Sequence, residues 1–305
     1  MSEPLQPMAQ ANRISAMLNQ VLTSTERFPV KVDEVALEYS HQCFPASPVG
    51  KVDGQDLDGF EGMLKANTAR TKWLILYNSA VSSEGRKRFT IAHEFGHYLL
   101  HRHQHNEFQC GDDDIESGDG NGKDIEGDAD KFASTLLMPL DDFRRQVDGQ
   151  PVTFDLLGHC ANRYGASLTA AALRWTEIAE HRALLVASRD DHMLWAKSNE
   201  AAFKSGAVFA TRKRTIALPG AARAHSANCT GAGQAQSIKA SVWFPREPAY
   251  VPLTEMTMVA ANYDYTLTLL LMPDAEWRAP QHDEEEPLED TLERFERNGQ
   301  PLIRN

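Results

Sequence analysis

Residues 88–101 read RFTIAHEFGHYLLH, and residues 126–139 read EGDADKFASTLLMP. In each, apolar residues recur every three or four positions, the spacing of an amphipathic helix. At about 100° per residue the first helix divides in two. Ile91, Ala92, Phe95, Tyr98 and Leu99 form an apolar sector, and His93, Glu94, His97 and His101 take the opposite arc. His93 and His97 lie one turn apart on one face, so both imidazoles can reach a single zinc ion. Glu94 sits at the edge of that face, where it can take a proton from an attacking water. Taken alone, this pentapeptide fits surface histidines on an amphipathic helix equally well, and its context has to decide.

The second helix supplies that context. A catalytic zinc takes three protein ligands and keeps a fourth position open. With Glu126 as the origin, Ala129, Asp130, Phe132, Ala133, Leu136 and Leu137 share its sector, whereas Asp128, Lys131, Ser134 and Thr135 face away. Glu126 and Asp130 are then carboxylates on a core-facing stripe, which is costly unless they bind a metal or a partner. Glu126 as third ligand and Asp130 as acceptor for a ligand histidine account for both. Stabilisation of the helix N-terminus by Glu126 is the alternative, and it leaves Asp130 unexplained. His101 lies two turns from His93, about 12 Å along the axis, too far to share the ion comfortably. His101, His103 and His105 are expected on the surface or capping the helix, and Cys110 is expected to be a packing residue rather than a ligand.

Outward from these helices, the first 25 residues and 32–40 are expected to be helical, and Trp73–Tyr77 (WLILY) is expected to be a strand, either buried or an edge that could pair with an extended substrate. Residues 106–128 are rich in Gly, Asp and Glu and read as a mobile loop. A helical segment spans 152–180; RALLVAS and HMLWAKS flank Arg189-Asp190-Asp191 as a hairpin; and β-type runs recur at 206–218, 240–244 and 263–272. The expected class is α+β: a zincin-like helical metallopeptidase domain with a small sheet over residues 1–200, with site helices 88–101 and 126–138. A β-rich partner or sensor region with an acidic tail follows over 205–305.

At these motifs the sequence resembles the ImmA/IrrE family of zinc metallopeptidases, with further support from GFEGMLKAN (59–67), WLILYN (73–78) and RYGASLTAAALRW (163–175). The resemblance covers roughly residues 10–200. It implies one Zn2+ per chain held by His93, His97 and Glu126, with Glu94 as catalytic base and Asp130 at the fifth position of an E-x-x-A-N/D-x-F-A motif. It also implies a protein substrate, a helix-turn-helix transcriptional repressor whose cleavage releases phage, mobile-element or stress-response genes. Tyr164, His159 and Arg163 follow the second motif and are the candidates for stabilising an oxyanion. The competing function is a DNA-binding or partner-binding regulator with a non-proteolytic zinc site, suggested by the helix-turn-helix-like stretch at 152–178 and by Arg212-Lys213-Arg214. That stretch carries few basic residues to meet phosphates, so direct DNA binding is not expected.

Composition sets the outer bounds. The 305 residues hold 31 Lys+Arg and 43 Asp+Glu, a formal net charge of −12. Residues 106–130 (ten acids, one lysine) and 283–296 (eight acids, one arginine) contribute −16, leaving +4 elsewhere. The acidity is therefore local, and it argues only weakly against nucleic acid. The richest apolar run, Leu267–Met272, is far short of the roughly 20 residues of a membrane span. With no secretory signal and four scattered cysteines, a cytoplasmic protein is expected.

Overall fold

The computed structural model describes residues 6–110, 120–225, 233–260 and 264–275, with backbone alone at 110, 120–124 and 260. Met1–Pro273 cluster as one compact unit and Asp274–Asn305 as another, and every element below belongs to the first. The acidic tail lies outside the described residues, as do 111–119 of the acidic loop.

Helices and strands are mixed along the chain, in keeping with an α+β class. Helix α1 (Pro7–Val21) and α2 (Val32–Cys43) lead into β1 (Val49–Gln55), β2 (Gly62–Ala66) and β3 (Trp73–Asn78). The helix expected at 88–101 is α3 (Glu84–Leu100), which starts a turn earlier because the Ser83 hydroxyl accepts from the Arg86 N–H and caps it. The strand β4 (Glu107–Cys110) and the first turns of α4 (Gly120–Leu137) occupy part of what reads as a mobile loop. Composition there conceals both, because β4 is fixed by pairing with β2 rather than by its own apolar pattern.

The first sheet has the order β1–β3–β2–β4, with β1 parallel to β3 and the remaining pairs antiparallel. Trp73–Tyr77 therefore lies inside the sheet, hydrogen-bonded on both sides, and is not an edge for substrate. Its face carries Trp73 and Ile75 into a core shared with Ile91, Phe95 and Tyr98 of α3 and Phe132 and Leu136 of α4.

After α4 come α5 (Leu140–Val147), α6 (Phe154–Tyr164) and α7 (Leu168–Ile178). The α6–α7 pair turns at Gly165 in the left-handed region (φ +58°) and buries Phe154, Leu157, Ala171 and Ala172. The pair is thus mainly a packing element. A six-stranded sheet follows, in the order β7–β6–β5–β10–β9–β8. It contains β5 (Arg182–Arg189) and β6 (His192–Ser198), joined through Asp190 and Asp191, both with positive φ, as the expected hairpin. The short helix α8 (Glu200–Lys204) precedes β7 (Ile216–Ala217), β8 (Gln236–Lys239), β9 (Pro252–Ala260) and β10 (Tyr265–Met272). Strands from either side of residues 200–205 share this one sheet. Residues 240–242 form a 3-10 turn instead of the expected strand. β9 carries no apolar strand pattern in the sequence, because Glu255 and the threonines near it interrupt its apolar residues.

Gly165 also touches the first core. A Cβ there would lie 2.2 Å from Arg88 Nη2, the group that donates to the Gly165 carbonyl. Gly149 has a similar φ of +66° with nothing within 4 Å of an added Cβ. Gly165→Ala should therefore destabilise by about 1–3 kcal/mol and by more than Gly149→Ala, in urea denaturation. Equal losses would show that the Arg88 contact contributes nothing.

Candidate metal centre

Two helices and one strand assemble the site. α3 presents His93 and His97 one turn apart with Glu94 beside His93, and α4 crosses it so that Glu126 faces both histidines. Glu126 Oε2 lies 3.0 Å from His93 Nε2, Oε1 lies 3.3 Å from His97 Nε2, and the two Nε2 atoms are 2.9 Å apart. One donor atom from each of the three residues falls within 4.8 Å of the others. Two imidazole nitrogens and a carboxylate oxygen, all aimed at one point, are the donor types that zinc accepts. The residues fit the metal.

The other ring nitrogens are held from behind. His93 Nδ1 is 2.9 Å from Asp130 Oδ1, so an Nδ1–H donated to that carboxylate leaves the Nε2 lone pair for a metal. Asp130 thus meets the expected ligand histidine, but its side chain is 59% exposed, and the core-facing burial expected from the helix pattern is incorrect. The wheel placed Asp130 in the right sector but not at its solvent-facing margin.

His97 Nδ1 is 3.1 Å from His101 Nδ1. His101 is only 5% exposed, so of its two expected roles it takes the helix cap and not the surface position. It ends α3, its backbone N–H bonding to the His97 carbonyl at 2.8 Å, and the chain then folds back so that Phe108 of β4 stacks on His97 at 4.7 Å. Burial, followed by the proximity of His97, pushes its pKa down to about 4, so at neutral pH it is an uncharged acceptor for the His97 N–H. Only the i,i+4 spacing to His97 signals this role in the sequence.

Electrostatics divides the two ligand histidines. Burial opposes charge on His93, but hydrogen bonds to Asp130 and Glu126 outweigh it and lift its pKa to about 10. Burial dominates at His97 and lowers its pKa despite Glu126. Burial acts upward on Glu126, yet the two histidines hold its carboxyl well below the usual range. A cation at the meeting point of the three donors would take over that stabilisation.

Glu94 is fully buried, not at the margin of an open face. Its carboxylate lies against β2 at Gly62, where an added Cβ would stand 2.7 Å from Oε1 and 2.4 Å from the Thr90 methyl. Gly62 in mid-sheet is a glycine required by close approach, a meaning that GFEGMLKAN does not announce. The oxyanion candidates are engaged elsewhere: the Tyr164 hydroxyl donates to Asp142 Oδ2 (2.7 Å), Arg163 Nε donates to the same oxygen (2.7 Å), and His159 meets Gln146.

A buried HExxH pair with a carboxylate from a second helix is the arrangement of a metallopeptidase. Residues 51–176 match the Peptidase_M78 family model, described as the IrrE N-terminal-like domain. This segment, under half of the chain, holds all five candidate site residues, and its match bears out the ImmA/IrrE resemblance. No curated protein sequence matches the chain. Among solved structures, a Mycobacterium tuberculosis transcriptional regulator aligns over 88% of this chain and 76% of its own, at 15% identity and a TM-score of 0.49.

Asp130→Asn and His101→Leu should each weaken zinc binding by about 10–100-fold, measured by competition with a chromogenic chelator. Unchanged affinity in both would mean that packing alone orients the two ligand histidines.

Proposed function

We propose that this chain is a zinc-dependent endopeptidase, with one Zn2+ per chain on His93, His97 and Glu126 and with Glu94 as catalytic base. The observation that carries the reading is the convergence of three donor atoms beside a buried carboxylate within an IrrE N-terminal-like domain. Zinc, when bound, supplies Lewis acidity toward the scissile carbonyl and a water. Glu94 accepts the water proton and delivers it to the leaving amine. Asp130 and His101 engage Nδ1 of the two imidazoles, which turns both Nε2 atoms toward Glu126. Burial beneath β2 keeps bulk water from competing for the Glu94 carboxylate.

An extended substrate needs an unpaired strand edge. In the four-stranded sheet that edge is β1 or β4, and β4 is adjacent to the site because Cys110 pairs with Gly62. We assign substrate pairing to β4. Following the ImmA/IrrE resemblance, the substrate is a helix-turn-helix transcriptional repressor in the cytoplasm, whose cleavage derepresses phage, mobile-element or stress-response genes. Residues 1–200 carry the peptidase part, and 205–305 serve partner or signal recognition through the sheet that both parts build. Among the described residues, no helix is long and apolar enough to cross a membrane. Arg212, Lys213 and Arg214 are exposed, but the apolar face of α6–α7 is used for packing, and a DNA-reading role has less support.

Glu94→Gln should bind zinc as the wild type does and fail to cleave a helix-turn-helix repressor encoded beside it; cleavage at the wild-type rate would refute the mechanism. Gly62→Ala should lower kcat at least about tenfold with zinc retained, since a small misplacement of the base is enough to slow catalysis. Unaltered kcat would show that Glu94 does not act from this position.

A further inference from the structure

α1, α2 and the segment between them leave an open groove of about 650 Å3, lined by none of the metal-centre residues. One wall is a stripe of α1, Ile14, Met17, Leu18 and Val21, at the i, i+3, i+4, i+7 spacing of a single helix face. Ile14 is buried, but Met17 is 41% and Val21 76% exposed, so the stripe runs out of the core into solvent. Val35 and Tyr39 of α2 and Phe28 of the connecting segment continue the apolar lining. Gln10 Nε2 donates to the Tyr39 hydroxyl at 2.9 Å and ties α1 to α2. Each helix is also anchored separately, α1 on α4 and α2 on β1 and α3, so the groove is built into the folded frame.

Acidic side chains border this apolar lining. Glu26, Glu34 and Glu38 belong to the groove and are exposed, with Glu34 and Glu38 one turn apart on α2. The exposed cation among them, Lys31, is engaged by Glu34 at 3.1 Å. Arg27 is buried and turned to Ser15 and Asn19 of α1 and to Asp141. The exposed edge therefore carries more negative than positive charge. Exposed apolar side chains contiguous with a cavity and edged by polar residues mark an interaction surface. The matching shape is an amphipathic helix whose apolar face is bordered by Lys and Arg. The lining runs from Ile14 to Leu22 on α1 and from Glu34 to Gln42 on α2, each about 12 Å, the rise of roughly two turns of a docked helix. Other occupants meet like charge. Residues 283–296 of this chain carry eight acids and one arginine, and a second copy on a two-fold axis would bring the same glutamates to the same groove.

We propose that the groove between α1 and α2 is a docking site for a basic amphipathic helix of a partner protein. The site is independent of the metal centre and of the peptidase reading. The test uses the full chain and a dye-labelled helical peptide of leucine, alanine and lysine, beside a twin in which glutamate replaces lysine, with fluorescence anisotropy as readout. The lysine peptide should bind saturably and the glutamate twin should not. Met17→Ser/Val21→Ser, at positions already open to solvent, should weaken binding at least about tenfold. Glu34→Lys/Glu38→Lys should weaken the lysine peptide by a similar factor and admit the glutamate twin. Glu180→Lys/Glu200→Lys, exposed and outside the groove, should change neither affinity. The proposal is overturned by a wild type without saturable binding, by groove variants that bind as the wild type does, or by a remote reversal as damaging as the one in the groove. Preference for the glutamate twin also overturns it and assigns the groove to an acidic segment such as the chain's own tail. So does a dimer, seen by sedimentation, that Met17→Ser/Val21→Ser dissociates. Should the apolar pair fail to fold, the charge reversal decides alone.

Discussion

Everything at the metal centre depends on how closely α3 and α4 approach. At Gly96 an added Cβ would lie 3.1 Å from Phe132 Cδ1 and 3.2 Å from the Ala129 Cα, so side chain and backbone of α4 press against the α3 backbone itself. Interaxial distance follows the size of the residues at a crossing, and glycine facing alanine gives a short one. Glu126 lies four positions, just over one helical turn, before Asp130, and at this separation the two carboxylates reach opposite nitrogens of His93. Phe95, Phe132 and Tyr98 lock the crossing through edge-on and stacked contacts at 5.7–6.1 Å.

Within that frame the site is a balance of desolvation against hydrogen bonding. Glu94 and His97 are completely buried, and His93 is nearly so. Such groups persist in a core only when partners hold their polar atoms. For the two histidines, Asp130, His101 and Glu126 provide those partners from three directions, and Phe108 closes the fourth with an aromatic face. The result is a set of donor atoms aimed at one point, with the orientation of each imidazole set from behind.

How much could be read from sequence varied with how local the cause was. His93, Glu94 and His97 are linked by helix geometry alone, so their spacing suffices. Glu126 needed a second helix and an estimate of which face turned inward. That estimate placed Asp130 in contact with His93 but misjudged its exposure, because a helix wheel does not show where a neighbouring element ends. Of the two roles the sequence allows His101, surface group or helix cap, the structure takes the cap, and its burial comes from β4 folding back over the end of α3, a non-local event. β2 and β4 escaped notice for a related reason: their residues are polar or mixed, and pairing across the sheet, not their own pattern, holds them extended. β9 shows the reverse, since a carboxylate at a core-facing position hid a strand that the structure places in the middle of a sheet.

The amino-acid sequence alone determined the donor types, the helical spacing of two of them, the α+β alternation and the hairpin at Asp190-Asp191. All of these follow from periodicities of a few residues, or from backbone preferences of single residues. Tertiary structure alone decided that β3 is interior, that Glu94 rests on Gly62, that His101 stands behind His97, and that Glu255 faces a core. Each of these depends on which segments become neighbours in space, and pairing and burial between distant segments leave no periodic trace in either one.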